Sequence, residues 1–217
     1  TRRISSAASD VYKRQPLGML LNALFLGAWL VLPRWFSHAS RPLLWTSLGS
    51  LAIWGLLGAI VLTLVGGLLS PNLSDRALAL VGFVPLFITA VAFNRRPSLT
   101  PKGSNSVSKS VLVARGTMAA TAIGVAVWLA GLGHPLLAGL ASVFPAIFLT
   151  SMVALWLAQG PSVPQGAAGP MMLGGASVAV YANVAMWSLP AYGAIVGSLL
   201  AWVAVSYTHL TLPTIFA

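Results

Sequence analysis

Residues 134–160, HPLLAGLASVFPAIFLTSMVALWLAQG, contain no charged side chain after the opening His134 and are long enough to cross a bilayer as a helix. Pro145 lies near the middle of this segment, and Thr150 follows it. A proline inside a membrane helix frees a backbone carbonyl, which a polar group must then satisfy. The other long segments have the same apolar character, so the sequence predicts a polytopic membrane protein.

The composition supports this prediction and excludes a soluble fold. The chain has 217 residues, 58% hydrophobic and 6% charged, with a mean hydropathy of +0.89. Soluble domains have about 25% charged residues. Twelve Lys+Arg residues against two Asp+Glu residues give a net charge of +10. These basic residues lie between apolar segments, which indicates a membrane topology signal rather than nucleic-acid binding. The absence of cysteine excludes disulfides and cysteine-based metal sites.

The two ends of the chain differ in character from the rest. The strings SDVYKRQ, within residues 1–15, and SYTHLTLPT, within residues 206–217, resemble peptides translated from sequencing-library adapter. We interpret both tails as artefacts at the edges of an assembled fragment. The alternative is a genuine polar N-terminal tail and a short amphipathic C-terminal tail.

Between the tails we predict an all-α transmembrane helix bundle of about seven spans. Three spans fall in residues 16–93 and four in residues 116–205, on either side of a basic loop over 94–115. The predicted apolar segments are Leu17–Leu32, Leu43–Leu69, Ala77–Phe93, a fourth that ends at Leu132, the segment quoted above, Met171–Leu189 and Ala191–Val205.

Several residues are predicted to mark the span boundaries. Ser74 or Asp75 can cap the third helix, and the fourth helix should begin between Val111 and Gly116. A loop over Pro161–Pro170 and a short turn at Pro190 separate the last three spans.

The basic residues predict the orientation of the spans. The loops after the first and third spans contain Arg34, Arg41, Arg95, Arg96, Lys102, Lys109 and Arg115, whereas the loops on the opposite side contain only Arg76. This bias places the 94–115 loop in the cytoplasm.

Polar residues inside the spans are the candidates for a binding site. Freed carbonyls near Pro85 and Pro145, together with Thr89, Thr150 and Asn183, could form a substrate pathway at mid-depth, where transporters bind their substrates. The alternative is that these side chains bond within or between helices and only support packing.

The spans contain no acidic residue, and the chain has no HExxH motif. We therefore predict no catalytic residue, no metal site, no cofactor and no enzyme activity. His134 is either a gate or a plain turn residue.

Small residues recur at helical spacing in the later spans. We predict helix packing through Gly116, Gly124, Gly175, Gly193 and Gly197. Besides the lipid bilayer, the predicted partners are a second copy of the chain or other membrane helices, and no nucleic acid.

An internal repeat is a further hypothesis. GFVPLFITAVAF (82–93) and SVFPAIFLTSMVAL (142–155) share a central proline followed by phenylalanine and threonine. The corresponding helix pairs would form a parallel repeat. The alternative is that the prolines only kink helices for packing.

The strings FPAIFLTSMVALWLAQG and GPMMLGGASVAVYANV, within residues 144–184, resemble a family of small bacterial inner-membrane proteins of unknown function that are described as permease-like. The resemblance implies a multi-pass protein of the bacterial inner membrane that moves an unidentified small solute, and it implies no catalytic residues. The alternative is a non-transporting scaffold or assembly subunit that packs through its small-residue faces.

Overall fold

The computed structural model describes residues 2–65, 74–94, 109–130, 132 and 143–215. Every element in these ranges is an α-helix and none is a strand, so the all-α prediction is confirmed. The helices are α1 (Arg2–Trp35), α2 (Pro42–Leu64), α3 (Asp75–Asn94), α4 (Lys109–Ala130), α5 (Ala146–Gln159) and α6 (Ser162–Ile215).

Four helical segments within the described ranges are long and apolar enough to cross a membrane. They are Gln15–Trp35, Pro42–Leu64, Arg76–Asn94 and Ser162–Tyr207. The first three coincide with the first three predicted spans. The fourth has 46 residues, and this length of helix is about 69 Å, more than twice the roughly 30 Å of the hydrocarbon core. It contains the predicted sixth and seventh spans, and the total of about seven remains a prediction.

A break at Gly193 divides α6, because the backbone of this residue is non-helical (φ 77°, ψ 175°). We call residues 162–192 the first arm and residues 194–215 the second arm. The sequence predicts the turn at Pro190, but the chain stays helical there. Proline holds φ near the helical value, whereas the positive φ of the break is readily adopted only by glycine.

The predicted position of Pro145 in the middle of a helix is wrong. The helix α5 begins at Ala146, and Pro145 precedes it with φ −79° and ψ 42°. The backbone N–H of Leu149 donates to the carbonyl of Pro145 at 2.8 Å, which forms the first turn. Proline is well tolerated at a helix start because the N–H that it lacks would have no partner there. The preceding part of the predicted fifth span, including His134, lies outside the described residues.

Two other predicted boundaries differ from the structure. The predicted loop Pro161–Pro170 is helical from Ser162 onward, and Pro164 falls in the first turn, where a missing N–H costs little. The helix α4 begins at Lys109, so the predicted basic loop 94–115 ends earlier than expected. The helix α1 runs from Arg2 through residue 15 without a break.

The helices form two compact units. The first comprises Thr1–Ala23, Val65–Arg96 and Met172–Ala217. Within it, a Cβ at Gly82 of α3 would lie 2.5 Å from the backbone nitrogen of Leu17 in α1, so these helices pack backbone to backbone. In the first arm of α6, the side chains of Ala176, Ala179, Ala182 and Ala185 are buried. Small residues therefore allow close helix contacts within this unit.

The second unit comprises Leu24–Leu64 and Pro97–Met171. In this unit α5 packs on α4 and α2, and aromatic rings fill the interior. The indole of Trp29 is fully buried and lies edge-on to Trp156 at 6.0 Å between ring centres. Trp54 lies edge-on to Phe144 at 5.5 Å. Edge-to-face pairs of this kind add about 0.5–1.5 kcal/mol to the burial of the rings.

Candidate functional site

An open cleft of about 260 Å³ lies in the first unit, between α3 and the first arm of α6. It is lined by Arg76, Leu80, Asn183, Met186 and Trp187. Residues three or four positions apart lie on the same face of a helix. Each helix therefore contributes one face, and each face combines a polar residue with apolar ones.

The position of Arg76 follows from the cap of α3. The hydroxyl Oγ of Ser74 accepts a hydrogen bond from the backbone N–H of Ala77 at 3.3 Å, and the carbonyl of Ser74 accepts one from Leu78 at 3.0 Å. These bonds cap the N-terminus of α3, just before its apolar segment. Arg76 is exposed in the first turn, where the positive end of the helix dipole adds to its charge.

The side chain of Asn183 bonds to its own helix and also lines the cleft. Its amide Nδ2 donates a hydrogen bond to the carbonyl of Ala179 at 2.8 Å. The asparagine amide has two N–H donors and one acceptor oxygen, and this bond uses one of the donors. The second N–H has no partner among the described residues, so Asn183 keeps hydrogen-bonding capacity at the cleft.

Trp187 forms a wall of the cleft and is 54% exposed. Its indole packs edge-on against the ring of Tyr192, with the ring centres 5.6 Å apart at 78°. Tyr192 directly precedes the break at Gly193. The geometry of the turn therefore holds the indole at the edge of the cleft.

The turn itself is held by a close contact between the two arms of α6. A Cβ at Gly197 would lie 2.8 Å from the backbone nitrogen and Cα of Leu189. In addition, the hydroxyl of Ser188 donates to the carbonyl of Gly197 at 2.8 Å. The start of the second arm is thus locked against the end of the first arm.

The five residues of the predicted substrate pathway are divided between the two units. Pro85, Thr89 and Asn183 fall in the first unit, and Pro145 and Thr150 fall in the second. Of these, only Asn183 lines the cleft.

The hydroxyls of that predicted pathway bond within their own helices. Thr89 donates to the carbonyl of Pro85 at 2.6 Å, and Thr150 donates to the carbonyl of Ala146 at 2.8 Å. This pattern is the packing alternative that the sequence left open, and it is common in membrane helices.

The predicted packing glycines occupy three kinds of position. Gly175 is buried in the first arm of α6, and Gly197 meets the backbone of Leu189. Gly193 forms the break rather than a helix contact, because its positive φ requires glycine. Gly116 and Gly124 on α4 are exposed, and a Cβ at either would meet nothing within 4 Å.

Of the predicted topology residues, Arg34, Arg41 and Lys109 are exposed at helix ends or turns. Arg115 lies within α4. Arg95, Arg96 and Lys102 lie outside the described residues.

The sequence does not predict that the other residues of the cleft belong to a site. Arg76 is predicted only as the one basic residue on the non-cytoplasmic side, and Trp187 has no predicted role. The spacing of Asn183 and Trp187, four residues apart, indicates one helix face. No sequence pattern predicts that this face packs near α3, because both helices are largely apolar and the pattern does not mark the contact face.

No family model, curated protein sequence or solved structure was found to match this chain. Among the described residues, no three His, Cys, Asp or Glu side chains are grouped closely enough to hold a metal ion. The cleft is therefore interpreted from its own chemistry.

Proposed function

We propose that the chain is a multi-pass protein of the bacterial inner membrane, of the permease type, which moves a small solute without covalent chemistry. The supporting observation is the cleft in which Arg76 and Asn183 lie among the apolar side chains of Leu80, Met186 and Trp187. Polar groups that face a cavity on otherwise apolar membrane helices are typical of a solute path.

In the proposed orientation, the cleft opens on the non-cytoplasmic side. The third span begins at Arg76, and Trp187 lies at the end of the predicted sixth span. Both residues can line one cleft at the membrane surface only if an even number of crossings separates them. Spans three to six form an even number, so the proposed topology is consistent with the cleft.

The proposed activity requires binding and release, and no cofactor or catalytic group. Arg76 and Asn183 supply polar contacts to the solute, and Trp187 supplies an apolar wall. An arginine and an amide side chain are well suited to a ligand that accepts hydrogen bonds.

The variant Asn183→Cys tests the proposal, because the chain contains no cysteine of its own. In right-side-out and inverted vesicles, a membrane-impermeant methanethiosulfonate reagent should label the introduced thiol from both sides, as alternating access requires. Leu199→Cys in the second arm is the control. Leu199 is 57% exposed on an apolar helix, so its replacement should face lipid and stay unlabelled. Labelling at position 183 from one side only, or from neither, would refute a solute path through this cleft.

A scaffold or assembly subunit is the second candidate, and the open face of α4 favours it. Gly116, Ala120 and Gly124 are exposed at successive turns, with no other side chain against either glycine. A small-residue face allows a second membrane helix to approach closely. Among the described residues, nothing covers the two glycines of this face, so another copy or another protein could pack there.

The double variant Gly116→Leu/Gly124→Leu tests the scaffold candidate. Resonance energy transfer between differently labelled copies in liposomes should fall if α4 joins two copies. Gly55→Leu on α2 is the matched control, because its Cβ would also meet nothing within 4 Å. Unchanged energy transfer in the double variant would leave the α4 face without a role in self-association.

A further inference from the structure

We propose that the cleft between α3 and the first arm of α6 binds an anionic head group, a phosphate or a carboxylate, joined to a short apolar chain. This inference rests on the proposed function, because it names the ligand class of the same cleft. The charge of Arg76, the second amide N–H of Asn183 and the apolar walls together fit such a ligand.

The guanidinium of Arg76 provides the charge. No described side chain forms an ion pair with it, and the sequence contains only two acidic residues, Asp10 and Asp75. Arginine binds planar and tetrahedral oxyanions through paired hydrogen bonds.

The dipole of α3 and the amide of Asn183 reinforce this charge. The first turn of α3 contributes the positive end of the helix dipole at Arg76. The free amide N–H of Asn183 lines the opposite helix face. Cationic and donor groups therefore come from both helices, and none of the described residues that line the cleft is acidic.

The remaining walls are apolar and the cleft is small. Leu80, Met186 and Trp187 supply aliphatic, thioether and indole surface. The volume of about 260 Å³ lies just below the range of about 300–1,000 Å³ for pockets that enclose drug-sized ligands. The cleft is thus suited to a head group and the first atoms of an apolar chain, rather than to a large polar solute.

This chemistry has two possible sources. Arg76 begins a membrane-length helix, so it lies at the depth of lipid head groups, where tryptophan is also enriched. The anion is therefore either the phosphate of an anionic phospholipid or the head of a free amphiphilic solute. Both sources present the same anionic oxygens beside an apolar chain.

Fluorescence quenching of Trp187 in nanodiscs tests the inference. The protein is placed in phosphatidylcholine that contains either brominated phosphatidylglycerol or, at equal mole fraction, brominated phosphatidylcholine. Subtracting the emission of Trp187→Phe isolates this indole from the other tryptophans. Stronger quenching by brominated phosphatidylglycerol identifies the lipid source. Reversal of that quenching by hexyl phosphate, but not by hexanol, identifies a free anionic solute as a competing ligand.

The variant Arg76→Gln is expected to raise the half-quenching mole fraction of brominated phosphatidylglycerol about tenfold, since hydrogen bonds to charged groups are the strong ones. Arg76→Lys should keep most of the preference. Arg34→Gln is the matched control, because Arg34 is exposed at the end of α1 and does not line the cleft. Circular dichroism and a single elution peak verify that each variant folds.

Equal quenching by both brominated lipids, together with no response to hexyl phosphate, would overturn the inference. An equal loss of preference in Arg34→Gln would also overturn it, because general surface charge would then explain the effect. If the parent protein shows no anion preference but Asn183→Cys is labelled from both sides, the proposed ligand class is wrong and the permease proposal stands. An anion preference with no labelling at position 183 would support the ligand class and refute the permease proposal.

Discussion

The hydroxyl of Ser188 donates a hydrogen bond to the backbone carbonyl of Gly197 across 2.8 Å. These residues lie on opposite sides of the break at Gly193, so the bond joins the two arms of α6. Ser188 is completely buried, so the loss of this bond would leave its hydroxyl unsatisfied inside the protein. The hairpin end that supports Trp187 and the cleft therefore depends on this contact.

Gly197→Ala should destabilise the protein, because the new Cβ would lie 2.8 Å from backbone atoms of Leu189 that cannot rotate away. Overpacking of this kind costs about 1–3 kcal/mol, and the melting temperature in detergent should fall. Gly174→Ala on the same helix is the control, since its Cβ would meet nothing within 4 Å. That control should be neutral or slightly stabilising. A melting temperature for Gly197→Ala equal to that of the parent would contradict the close contact.

Gly193→Ala should destabilise the protein for a different reason, which is backbone conformation. The φ of 77° with ψ of 175° lies in a region that is essentially restricted to glycine, at a cost of about 1–3 kcal/mol for other residues. No atom lies within 4 Å of a Cβ built there. Alanine and leucine at position 193 should therefore lower the melting temperature by similar amounts, whereas leucine at position 197 should be worse than alanine. A strong dependence on side-chain size at position 193 would argue against this explanation.

Gly82→Ala should separate α1 from α3. Its Cβ would lie 2.5–2.8 Å from backbone atoms of Pro16 and Leu17, so the helices must shift. We expect a loss of about 1–3 kcal/mol, measured as a lower melting temperature. Gly55→Ala on α2 is the control, because it has open space around its Cβ. If the two variants melt at the same temperature, α1 and α3 are not in backbone contact.

Labelling of single introduced cysteines should establish the topology. Ser74→Cys and Ala191→Cys should react from the same side of the membrane, and Ser40→Cys should react from the other side. All three positions are exposed. The expectation follows from the shared cleft of Arg76 and Trp187 and from the bias of basic residues. Labelling of positions 74 and 191 from opposite sides would mean that an odd number of crossings separates them.

The candidate site could be predicted only in part from the sequence. Asn183 belongs to the predicted substrate pathway, and it does line the cleft. Arg76 enters the prediction only as a basic residue between spans, and Trp187 has no predicted site role, because their place in one cleft depends on the pairing of α3 with α6. The hydroxyls of Thr89 and Thr150 satisfy themselves within their own helices, and sequence alone could not distinguish this from a shared polar site.

The sequence by itself determined that the chain is helical and where most of its helices lie. Long apolar segments in lipid must satisfy their own backbone groups, and the helix is the local way to do so. Only the tertiary structure decided which faces meet, and therefore that Gly82 packs against Leu17 and that Arg76 and Trp187 line one cleft. The reason is that lipid is as apolar as the helices, so hydrophobicity does not mark a buried face. Close packing of small residues selects the partners instead, and glycines are too frequent in this sequence to identify one pair.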